Sequence, residues 1–142
     1  MQTTYKKFSD CLHAGSAYVA MQNNKENKLT YALRKFSKNH ATLIDNYTSK
    51  VKDLEIDYAS IDEKKNLIVV GTGFAYTKEN QKLFNDAVRK LNVELVEVEP
   101  FLVKEVDVPK EVPITLLEAF EGFVVPDKFE YPIEAPVLKA NG

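Results

Sequence analysis

The sequence predicts an α+β protein: an N-terminal antiparallel helical hairpin with a small antiparallel sheet, one further helix and an extended, proline-rich C-terminal tail. Three observations predict it. Apolar residues recur at helical spacing as far as Tyr58. Short apolar runs punctuated by glycine follow, and all six prolines come after residue 99. Helical period, strand-and-turn punctuation and proline enrichment are three different physical regimes. They divide the chain into a helical hairpin over 1–60, a β-hairpin/helix/strand unit over 61–108 packed on it as one domain, and a tail over 109–142.

The first helix is read from "TYKKFSDCLHAGSAYVAM", where Tyr5, Phe8, Leu12, Gly15 and Val19 repeat, with Cys11 and Tyr18 beside them. "QNNKEN" interrupts it with turn-favouring residues. Leu29, Leu33, Phe36, His40, Leu43, Tyr47, Val51, Leu54 and Tyr58 then follow in steps of three or four. That unbroken phase predicts one helix of about 30 residues, roughly 45 Å long. Two helices joined by a short polar link fold back on each other, giving a hairpin over residues 3–58.

Past Tyr58, "LIVV" reads as a strand, "GTG" as a reversal and "FAY" as the returning strand of a β-hairpin. Thr77 suits a helix N-cap with Glu79 in the positive first turn, and the helix continues through Leu83, Phe84, Ala87, Val88 and Leu91. Residues 95–103 form a third strand, in which Pro100, with no N–H to donate, indicates a sheet edge or a bulge. Its alternation sets Glu97 and Glu99 on a solvent face, about 7 Å apart along the strand. Such charges discourage edge pairing, although the edge remains open to an added strand. A short helix is expected from about Ile114 to Gly122.

Size and composition narrow the function. A chain of 142 residues with 44% hydrophobic and 11% aromatic content is one domain's worth. No disulfide is possible with Cys11 alone, whose place in an apolar helical pattern reads as a buried, inert thiol in a reducing compartment. No signal-peptide-like or membrane-spanning run is present, so the reading has no membrane partner. The net charge of −2 conceals an asymmetry: residues 1–60 carry nine Lys/Arg against six Asp/Glu, and residues 61–142 ten against fifteen. The acidic C-terminal part repels phosphate, which argues against nucleic acid as a partner. Five cations on the long helix, Arg34, Lys35, Lys38, Lys50 and Lys52, carry the alternative of a nucleic-acid-associated regulator.

The residues show no catalytic signature. His13 and His40 are the only histidines, and His40 falls on the apolar stripe, where a core role is the default. "VVGTGFAYTKEN" lacks the third glycine of a dinucleotide loop and has a strand where a helix should start, so it is a hairpin turn. The expectation is a non-enzyme with no catalytic residue, cofactor or metal site. The tail, rich in Phe and Tyr, is unlike a solvated disordered segment. It reads as a strap that docks in a groove, either on its own hairpin or on another subunit, with Leu117, Phe120, Phe123, Phe129, Tyr131 and Ile133 as the protein-binding residues. If the strap is intermolecular, truncation after Lys110 leaves a folded helical domain, whereas an unfolded truncation places the tail in the domain's own core.

"LIDNYTSKVKDLEIDYASIDEKKNLIV" followed by "YTKENQKLFNDAVRKLNVELVEVEPF" resembles small structural-module proteins of tailed bacteriophages and prophages, especially those of Bacteroides-type hosts. The resemblance covers roughly residues 40–103. Lys65 stands where those chains tend to have glycine, and the tail after Phe101 lies outside the pattern. It implies a virion or virion-assembly component, located in the particle or the cytoplasm of a bacterial host. Its partners would be copies of itself or other phage structural proteins in a multi-copy complex.

Overall fold

The computed structural model describes residues 1–127. The protein is α+β, with five α-helices and two small two-stranded antiparallel sheets among these residues. They form two compact units, residues 1–40 with 95–127, and Ala41–Glu94. No helix among the described residues is long and apolar enough to cross a membrane.

The first unit opens with β1 (Gln2–Thr4) and α1 (Tyr5–Met21). The Thr4 hydroxyl accepts from the Lys7 N–H at 3.2 Å, capping one of the free donors of the first turn. Tyr5, Phe8, Cys11, Ala14, Gly15 and Tyr18 form the buried face of α1, with Leu12 and Val19 at its margin. Asn23 and Asn24 take positive φ in the turn that follows, a conformation asparagine tolerates well. Helix α2 (Lys28–Asn39) starts with a reciprocal cap. Asn27 Oδ1 accepts from the Thr30 N–H, and Thr30 Oγ1 accepts from the Asn27 N–H, both at 2.9 Å. The two helices approach closely at Gly15, where a Cβ would lie 3.1 Å from Leu33 Cδ2.

The periodic run from Leu29 to Tyr58 is two helices, not the single long helix its phase predicts. Helix α2 ends at His40 and α3 (Ala41–Tyr58) begins at the next residue. Side-chain chemistry makes the break. His40 Nδ1 donates to the Phe36 carbonyl at 2.7 Å, taking the acceptor that the His40 N–H would use in a continuing helix. The His40 N–H instead reaches back to Ser37 O. The other ring nitrogen, Nε2, accepts from the Glu99 N–H at 2.9 Å. Two bonds of opposite sense assign the neutral, Nδ1-protonated tautomer. The stripe keeps its phase across the interruption, so spacing alone does not reveal it.

Strand β4 (Leu95–Glu97) pairs antiparallel with β1, Thr3 opposite Val96. The ladder extends by one residue, with the Val98 N–H donating to Met1 O at 2.9 Å. The strand is thus shorter than the expected 95–103, and in this two-stranded sheet β4 is an edge. Beyond Pro100, the Phe101 and Val103 N–H groups donate to the carbonyls of Phe123 and Val124. A 3₁₀ turn (Glu105–Asp107) and α5 (Ile114–Phe120) complete the unit. Tyr18 meets Phe120 edge-on at 6.4 Å between ring centroids, and Phe36 meets Phe123 at 5.7 Å.

The second unit holds α3, the hairpin of β2 (Val69–Val70) and β3 (Gly73–Phe74), and α4 (Lys78–Asn92). Val69 pairs with Phe74 and Val70 with Gly73 across the Gly71–Thr72 reversal, where Gly71 has φ +60°. Ser60 ties the hairpin to the end of α3: its N–H donates to Ala75 O and its carbonyl accepts from the Ile68 N–H. In the preceding turn Asp62 Oδ1 accepts from the N–H groups of Lys64 and Asn66. Lys65 has φ +70°, the left-handed region that glycine occupies without cost. Thr77 caps α4 by accepting from the Asn80 N–H.

Candidate protein-binding surface

Three of the six tail residues expected to bind a partner lie inside the first unit. Leu117, Phe120 and Phe123 are buried, Phe120 completely. Of the two docking modes, this part of the tail takes the one on its own chain. Their side chains need apolar cover, and α1 and α2 of the same chain supply it through Tyr18 and Phe36. Backbone bonds from Phe101 and Val103 fix the segment in place. Phe129, Tyr131 and Ile133 lie outside the described residues.

The cations of the nucleic-acid alternative are largely engaged. Arg34 is paired with Glu26, whose carboxyl is held below the usual carboxylate range by hydrogen bonds from Arg34 and then Thr30. Lys50 Nζ is 3.7 Å from Glu94 Oε1. Lys52 Nζ lies 3.9 Å from Glu55 and 4.6 Å from the centre of the Phe74 ring. Moreover, Arg34, Lys35 and Lys38 belong to one unit, and Lys50 and Lys52 to the other. Arg34, Lys50 and Lys52 therefore already share their charge with a carboxylate, which weakens what they would offer a phosphate backbone.

Two of the four acids of residues 97–107 are likewise held in surface pairs. Glu97 Oε2 is 3.3 Å from the Met1 amine, and Asp107 is 3.3 Å from Lys28 Nζ. Among the described residues no three His, Cys, Asp or Glu side chains converge as a metal-binding group. Burial pushes the Cys11 thiol up to about 12, so it is a poor nucleophile at neutral pH.

The unusual surface is in the second unit. Helix α3 has 18 residues and none of them is buried. Its apolar face, Leu43, Tyr47, Val51, Leu54 and Tyr58, is only half-covered. Among the described apolar residues of this unit, Leu91 alone is buried. The hairpin exposes consecutive apolar residues: Ile68, Val69 at 66% and Val70 at 61%. A strand with one solvated face should alternate apolar with polar, so a run exposed on both sides is a departure from the usual economy of a sheet.

Between α3 and α4 runs a groove of about 520 Å³. Leu54 and Tyr58 from α3, with Leu83, Ala87 and Leu91 from α4, supply its apolar lining. Lys50, Asp53, Asp86, Lys90 and Glu94 supply its charges. The helices are braced at both ends: Tyr47 Oη donates to Asn92 Oδ1 at 2.6 Å, and Asn80 Nδ2 donates to Tyr58 O at 3.2 Å. The groove is thus held open by polar bonds while its apolar lining remains accessible. Leu83, at its lower end, is 45% exposed.

Sequence reasoning assigned Leu83 and Ala87 to a helix but not to a binding face. The signal available was the four-residue apolar run Leu67–Val70, longer than a hairpin with one wet face requires. No family model, no curated protein and no solved structure matches this chain.

Proposed function

We propose that this protein is a non-enzymatic structural or adaptor component that acts through protein–protein contacts in a larger, multi-copy assembly, a phage virion or an intermediate of its construction. The single observation that carries the contact role is the second unit's accessible apolar surface. That unit offers the α3/α4 groove and the Ile68–Val70 hairpin and buries little besides Leu91, while the first unit, although Leu95, Leu102 and Val106 are exposed, holds a buried aromatic core. Apolar grooves between paired helices accept an amphipathic helix, and the gain comes from removing that surface from water. The phage setting rests on the resemblance of residues 40–103 to tailed-phage structural-module proteins.

The test is a fractionation of particles from a host carrying the gene. The protein should sediment with particles or their precursors at a constant ratio to the major shell or tail protein. Leu83→Lys should reduce that incorporation while leaving the circular dichroism of the purified chain unchanged. Recovery only in the free fraction, with particles of normal composition, overturns the reading.

A further inference from the structure

We draw no further inference here: the strongest candidate, the apolar groove between α3 and α4 of the second unit, carries nothing because nothing in the structure shows what covers it.

Discussion

The two units of this chain bury their apolar residues to very different degrees. In the first, α1, α2 and α5 share a core in which Phe8, Phe36 and Phe120 are at most 1% exposed. In the second, two helices of similar length leave their stripes half-covered and a hairpin leaves valines in water. The first contains the distant chain segments needed to cover each helix. The second is one continuous stretch, Ala41–Glu94, with two helices and no third layer. Burial of apolar area is the main favourable term in folding, so the first unit should be self-sufficient and the second should gain most from a partner.

The strongest way to break this contrast is to remove the layer that completes the first unit. Truncation after Lys110 is expected to abolish the cooperative unfolding transition of unit 1, because Leu117, Phe120 and Phe123 leave its core. Phe120→Ala alone should cost about 3–5 kcal/mol in denaturant titration, against about 1 kcal/mol for half-buried Leu54→Ala in unit 2. Equal costs would erase the distinction between the units.

Alkaline titration probes the same core through Cys11. Burial raises this thiol from its ordinary 9.0 to about 12, so the folded chain holds the proton more tightly than the unfolded chain. The associated stability is complete below pH 9 and is lost progressively as pH rises toward 12. By linkage this amounts to about 4 kcal/mol at the limit. Denaturation midpoints of the wild type should fall faster over that window than those of Cys11→Ala. Parallel pH profiles would show that the thiol is not protected.

A smaller effect is expected at the break between α2 and α3. Replacing His40 by Ala leaves the Glu99 N–H without its acceptor and frees the Phe36 carbonyl for the residue-40 N–H, a net loss of about 1–3 kcal/mol. Amide exchange at Glu99 should quicken first. Protection unchanged at Glu99 would mean that the ring is not its acceptor.

The smallest effect has the opposite sign and belongs to unit 2. Lys65→Gly relieves a left-handed backbone at φ +70° and should stabilise the Asp62–Asn66 turn by about 0.5–1 kcal/mol, after the greater chain entropy of glycine is subtracted. Slower exchange of the Asn66 amide is the readout. A loss of protection would show that the lysine side chain contributes more than the strain costs.

By itself the sequence determined the elements whose causes are local. The α1 stripe, the Thr77 cap, the Gly-Thr-Gly reversal and the start of α5 at Ile114 all follow from neighbours a few residues apart. Tertiary structure alone decided that the N-terminus pairs with residues 95–98, that His40 ends a helix by bonding Glu99, and that Leu117, Phe120 and Phe123 seat on α1 and α2 of their own chain. It also decided that Leu83 and Ala87 line an accessible groove. The physical reason is range. Period and capping are written in adjacent residues, whereas the partner of a strand edge, an imidazole nitrogen or an apolar face is selected across the whole chain, by whichever surface best excludes water or satisfies the bond.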